Sequence, residues 1–170
     1  GGDCDAGDVF DGGAVDVSGI EISGSKIYQV GSLGFPLGIT YTSSDATFAN
    51  SFDDDGEYWG VVSSGDDVPY VPSSSLAIVI GFVNDSGVTG NVRLVSNGSA
   101  CSTAACGIYQ NIDSHNFIDT NLRKAVSENL DVYMIIENLL DSVDVVARAP
   151  KDGARAQKPR TMKFGFSYRF

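Results

Sequence analysis

Hydrophobic positions in this chain recur at every second residue. In the closing stretch MKFGFSYRF, Phe164, Phe166, Tyr168 and Phe170 alternate with Lys163, Gly165, Ser167 and Arg169. Extended backbone sends successive side chains to opposite faces, so these residues predict a strand with one aromatic face and one polar, cationic face. The same period recurs upstream. Val15 and Val17, then Ile20 and Ile22, mark a strand over Ala14–Ser25. Their change of parity at Ser18-Gly19 predicts a β-bulge. Residues 27–36, with Gly31, Gly34 and Pro36, read as a turn. Further strands follow over Leu37–Phe48, Ser73–Asn84, Val88–Ser96, His115–Val126, Leu130–Leu140 and Pro159–Phe170.

The connections alternate in length. Short turns are expected at 27–36, 85–87 and 127–129, and long loops at 49–72, 97–114 and 141–158. Strands of about 9–12 residues match the length needed to cross a bilayer at a tilt. Short turns on one side and long loops on the other are the habit of membrane barrels, as are aromatic residues at the strand ends. The fold class is therefore all-β: an antiparallel meander of about seven strands forming part of a transmembrane barrel wall. A soluble sandwich would show the same alternation, but with its apolar face sealed by a second layer. Seven is an odd count, and an open sheet in lipid leaves two unpaired edges. The opening GGDCDAGDVFDGG also reads as the inside of a loop. The expectation is an open arc belonging to a longer polypeptide.

Composition sharpens this picture. The longest apolar run, Leu76–Val83 with Gly81 inside it, is far short of the roughly 20 residues of a membrane helix. The net charge is −11, with Lys26 the one cation in residues 1–90 and seven of the eleven Lys and Arg between Arg148 and Arg169. No basic stripe runs along an element, which speaks against nucleic-acid binding. Cys101 and Cys106 lie close together in a loop-like stretch, and a disulfide there suits an oxidising compartment; two free thiols are the alternative. Cys4 is left over. His115 is the single histidine, with no nucleophile motif around it, and reads as a surface or girdle residue rather than a catalytic one. Asp53, Asp54, Asp55 and Glu57 form an acidic run without calcium-loop spacing, and so read as a solvated loop. No catalytic residue, metal site or resident cofactor is implied.

Several segments resemble TonB-dependent outer-membrane receptors of the ferric-citrate and ferric-siderophore type. Glu137-Asn138-Leu139-Leu140-Asp141 is similar to the family's ENLFD turn. Gly153–Thr161 is similar to its loop exit ending in PRT, and Gly165, Tyr168, Arg169 and Phe170 to its closing G..YRF. Upstream, Gly19-Ile20-Glu21 and Gly65–Pro72 (GDDVPYVP) resemble further family segments in the same order. Lys124 departs from the family, standing where a Tyr is usual; a lysine near the rim can snorkel.

The resemblance implies the carboxyl-terminal part of a 22-stranded barrel over residues 1–170. The plug domain and TonB box would lie elsewhere in a longer chain. It implies the bacterial outer membrane, with lipid, lipopolysaccharide, TonB and the plug as partners. A ferric siderophore or ferric citrate would be the transported ligand rather than a cofactor. Chelates in the family bind where outer loops meet the plug, which points here to Tyr58, Trp59, Arg148, Lys151 and Arg155. Arg148 and Arg155 could instead pair with Asp144, Asp152 or lipopolysaccharide phosphates. Asp119, Arg123, Asp131, Glu137 and Arg160 are expected to line the lumen and pair with one another or with the plug, because buried charges need partners. Phe164, Phe166, Tyr168 and Phe170 form the membrane-insertion terminus. A passive porin and a soluble all-β binding module are the competing readings.

Overall fold

A computed structural model describes residues 13–53, 60–148 and 153–170. Its centre is one antiparallel sheet of seven strands. In chain order these are β1 (Val15–Val30), β2 (Leu33–Phe48), β5 (Ser74–Asn84), β6 (Val88–Asn97), β9 (His115–Ala125), β10 (Leu130–Glu137) and β13 (Thr161–Tyr168). Each strand pairs with the next, so the sheet is a pure meander with β1 and β13 as its two edges. Each long loop carries a small ribbon of its own. These are β3 (Phe52–Asp53) with β4 (Val61–Val62), β7 (Ala100–Cys101) with β8 (Asn111–Ile112), and β11 (Val145–Arg148) with β12 (Ala154–Ala156).

The register gives every side chain its face. Ile22, Tyr41, Leu76 and Ser96 form one cross-strand row, and Ile39, Ile78, Leu94 and Ile118 form the next. Leu122, Met134 and Phe164 continue a parallel row to the far edge. One face is thus aliphatic and aromatic across all seven strands. It is also uncovered: Ile20 is 66% exposed, Ile80 57%, Phe164 73% and Phe166 74%. Among the described residues no second layer seals it. Leaving a large apolar side chain in water rather than a greasy phase costs about 1.5–3 kcal/mol each. A face of this extent calls for hydrocarbon.

The opposite face carries Ser75, Ala77, Val79 and Gly81 on β5 and Asn91, Arg93 and Asn97 on β6. It continues with Asp119, Asn121 and Arg123 on β9, Asp131, Tyr133 and Glu137 on β10, and Lys163 and Arg169 at the last strand. The described residues have few buried apolar side chains, and all lie at the long-loop end. Phe48, Val62 and Ala104 pack together there, with Phe52 and Val68 against them.

Three expectations are corrected by this fold. First, residues 27–36 are not a turn. β1 and β2 are each 16 residues long and meet at Gly31-Ser32. Pro36 is tolerated because the ladder to β5 has no rungs at Phe35 and Pro36, and Gly81 opposite leaves room for the ring. A Cβ on Gly81 would come within 2.8 Å of Pro36 Cγ. Second, there is no bulge at Ser18-Gly19, since pairing runs unbroken from Val15↔Phe48 to Val30↔Leu33. The parity changes because the environment does. Val15 and Val17 pair with Phe48 and Ala46 at the long-loop end of the strand, on the opposite face from Ile20 and Ile22, which belong to the uncovered apolar face. Third, His115 is not a surface residue. It is buried, with Nδ1 3.0 Å from Asp113 O and Phe117 edge-on at 5.2 Å. Its register places it with Asn97 on the polar face.

Candidate functional site

Two groups of polar residues are built by this architecture: charges along the polar face, and a knot of loops at the long-loop end. On the face, Asp131 at the start of β10 is held by two guanidinium groups. Arg123 Nη2 approaches Asp131 Oδ2 at 2.5 Å, and Arg169 Nη2 lies 3.5 Å from the same oxygen. Arg123 reaches it from β9 because Tyr133, its cross-strand partner, is two residues along from Asp131 on the same face. Higher up, Glu137 Oε2 accepts from Lys158 Nζ at 2.6 Å and sits 2.9 Å from Lys163 Nζ. Among the described residues Asp119 is in no ion pair of this kind; its Oδ1 accepts the Asn138 amide at 2.9 Å. The structure thus distributes four of the expected lumen residues, Asp119, Arg123, Asp131 and Glu137, over one face. Arg160 sits elsewhere. It lies before β13 at the loop exit, its amide bonded to Asp141 Oδ1 at 3.0 Å and its Nη2 3.7 Å from Asp141 Oδ2.

Between these pairs the face has a shallow, open depression of about 300 Å³, with Asn91, Arg93, Asn121, Arg123, Tyr133 and Ile135 in its lining. Asn121 Nδ2 donates to Asn91 Oδ1 at 3.0 Å. Tyr133 lies over Gly165 of the neighbouring strand, where an added Cβ would be 2.4 Å from the ring. Lys124 belongs to the apolar face, opposite Val88 and Val132, yet its Nζ bends down to donate to Ser86 O of the β5–β6 turn at 2.5 Å. That is how a lysine stays solvated at the edge of an apolar surface.

The loop knot joins all three long connections. Residues 65–73 return alongside β2, with Phe48 N donating to Asp66 O at 2.9 Å and Val68 N to Ala46 O at 2.9 Å. Tyr70 N donates to Cys101 O of the second loop at 2.7 Å. The Tyr70 hydroxyl donates to Arg148 O of the third. Arg148 Nε in turn donates to Asn111 O of the second loop at 2.7 Å. Cys101 and Cys106 are joined by a disulfide with Cα atoms 5.6 Å apart, and Ser102, Thr103 and Ala104 within that small ring are buried.

Of the proposed ligand contacts, Arg148 is half-buried; its Nε donates to the main-chain oxygen of Asn111 and its own carbonyl accepts the Tyr70 hydroxyl, with no ion pair to Asp144 among the described residues. Arg155 is exposed on β12, opposite Ala147. Tyr58, Trp59 and Lys151 lie outside the described residues, as do Asp54, Asp55, Glu57 and Cys4. Phe164, Phe166 and Tyr168 line the apolar face, and Phe170 stacks edge-on against Tyr168 at 5.2 Å. Among the described residues no group of three or more His, Cys, Asp or Glu side chains converges as a metal site. Sequence reasoning missed Tyr70, whose signal was its place in the GDDVPYVP segment. It also missed Asn138, whose signal was its place in the ENLLD turn.

An uncovered apolar face, a charge-paired polar face and loops gathered at one end define a section of membrane-barrel wall. Comparison with solved structures agrees. The ferric-catecholate import receptor Fiu of Escherichia coli K12, in its closed form, matches with a TM-score of 0.68 and 23% identity over 92% of this chain and 21% of that one. The siderophore receptor PiuA from Acinetobacter baumannii matches with a TM-score of 0.70 and 18% identity over 91% of this chain and 22% of that one. The outer membrane transporter YddB from Escherichia coli gives 0.68 and 17% over 92% and 25%. No family model matches the sequence, and no curated protein matches it. This chain spans about a fifth to a quarter of the length of the structures it matches. It has the all-β fold of one section of an outer-membrane receptor.

Proposed function

We propose that the chain is part of the wall and outer loops of an outer-membrane receptor that imports ferric chelates, with energy delivered through TonB. The carrying observation is the two-faced sheet: a seven-strand apolar face that no described residue covers, backed by a face of paired charges. That combination suits a barrel with lipid outside and a polar, filled lumen inside. The remaining strands and a plug domain would belong to the rest of the receptor. Its apolar surface would meet outer-membrane lipid, and the cations at the loop end would meet lipopolysaccharide or the cargo. In this reading Arg148 and Arg155, with Tyr58, Trp59 and Lys151, form the outer contact for an anionic ferric siderophore or ferric citrate.

The test is uptake of ⁵⁵Fe-loaded chelates by cells carrying the full-length receptor, in the presence and absence of TonB. Saturable uptake that disappears without TonB is the expected result. Uptake that is linear in chelate concentration and indifferent to TonB would identify a passive porin instead.

A further inference from the structure

We propose that Tyr70 is a positioning residue that couples the three long loops into one unit and fixes Arg148 within it. The bearing of this on ligand capture rests on the function proposed above; the coupling itself does not.

The argument begins with a closed circuit. Tyr70 N donates to Cys101 O, and Cys101 is paired with Asn111 across the β7–β8 ribbon. Asn111 O accepts Arg148 Nε, and Arg148 O accepts the Tyr70 hydroxyl. One residue of the first loop thus bonds to the second by its backbone and to the third by its side chain. The third loop closes the circuit on the second. Tyr70 also has a φ of 63°. A tyrosine in the left-handed region is disfavoured by the clash of its Cβ and persists only where its surroundings over-determine it. Those surroundings are its two cross-loop bonds and the flanking Pro69 and Pro72, which restrict the backbone on either side.

The second loop is braced in its turn. Its disulfide closes a five-residue separation whose tip is buried, and Ala104 in that tip packs on Phe48 and Val62 of the first loop and β2. Arg148 Nε and carbonyl are both committed, so the side chain has a set direction. Among the described residues its two terminal nitrogens remain available to a carboxylate or catecholate oxygen.

The test uses the full-length receptor in detergent micelles, with two variants. Tyr70→Phe keeps the strained backbone and deletes only the hydroxyl. Tyr70→Gly relieves the strain and deletes it too. Hydrogen–deuterium exchange is followed at Ser102 and Asn111 in the second loop and at Gln157 in the third, whose amides are bonded within their own loops. Loss of one such bond corresponds to roughly a fivefold change in a local opening equilibrium. Both variants are therefore expected to raise exchange about fivefold in the two unmutated loops and to leave the β9–β10 ladder unchanged. Phenylglyoxal modification of half-buried Arg148 is expected to quicken severalfold, with exposed Arg155 as the internal control. Reduction of the Cys101–Cys106 disulfide should reproduce the change at Gln157. Exchange that rises only beside residue 70, or an Arg148 modification rate that stays at the wild-type value in both variants, would overturn the proposal. These readouts need no chelate, so they separate failure of the coupling from failure of the transport reading.

Discussion

Asn138 shows how much one side chain carries where the wall meets its loops. It is buried, has a φ of 52°, and makes three side-chain hydrogen bonds. Nδ2 donates to Ser142 O at 2.9 Å and to Lys158 O at 2.8 Å, Oδ1 accepts Ser142 N at 3.0 Å, and the backbone amide reaches Asp119. Asparagine suits the site because its short amide can bond locally in the left-handed region. Replacing it with alanine removes three part-buried hydrogen bonds to main-chain groups of Ser142 and Lys158 and keeps the unfavourable φ. The expected cost for Asn138→Ala is roughly 2–4 kcal/mol, read from urea unfolding of the full-length receptor in vesicles. Asn138→Gly should cost about 1 kcal/mol less, since it accepts the backbone angle while losing the same bonds. An alanine variant within about 0.5 kcal/mol of wild type would refute this account of the turn.

At the scale of strands, the faces make opposite predictions for neighbouring residues. Ile80 and Val79 are adjacent on β5, but Ile80 pairs with Leu37 and Val92 on the apolar face, while Val79 pairs with Gly38 and Arg93 on the polar one. Ile80→Arg is expected to destabilise the folded barrel by about 2–4 kcal/mol near the bilayer midplane, and Val79→Arg by far less. Equal costs in a vesicle folding titration would mean that the faces are assigned wrongly. The Tyr133–Gly165 pair gives a finer test. Gly165→Ala should cost about 1–3 kcal/mol by driving the ring away, and most of that should return in the double variant with Tyr133→Ala.

The same scale shows what is legible in the sequence. Period-two alternation assigns strands and faces well, because burial in lipid or lumen imposes it along the whole element. It gives the hairpin of β1 and β2 wrongly, since Gly34 and Pro36 look like breakers until Gly81 across the ladder is known. It also cannot give the loop ribbons. Pairings of two to four residues have no pattern of their own and are held by contacts such as Tyr70 with Cys101 and Arg148. For the candidate site, the strand-borne charges are readable from parity. The companions of Arg148 are not, because its partner oxygens come from loops 37 and 78 residues away.

For the whole molecule, the decisive feature is that the sheet has two edges. β1 offers its outer row of N–H and C=O groups along 16 residues, and β13 along eight. In water such rows are solvated at little cost. In hydrocarbon each orphaned group costs several kcal/mol, so two full edges amount to tens of kcal/mol, more than a domain's net stability. The apolar face requires lipid, and the edges forbid it unless other strands cover them. Both demands are met when further strands continue the sheet on each side. The chain refolded alone into vesicles is therefore expected to give no monomeric, protease-protected species and no heat-modifiable band on a gel. Joined to the rest of its barrel, the same residues should give both. A compact monomer formed in vesicles by these 170 residues alone would show that the edges are satisfied from within, and that the sheet closes on itself rather than serving as a section of a larger wall.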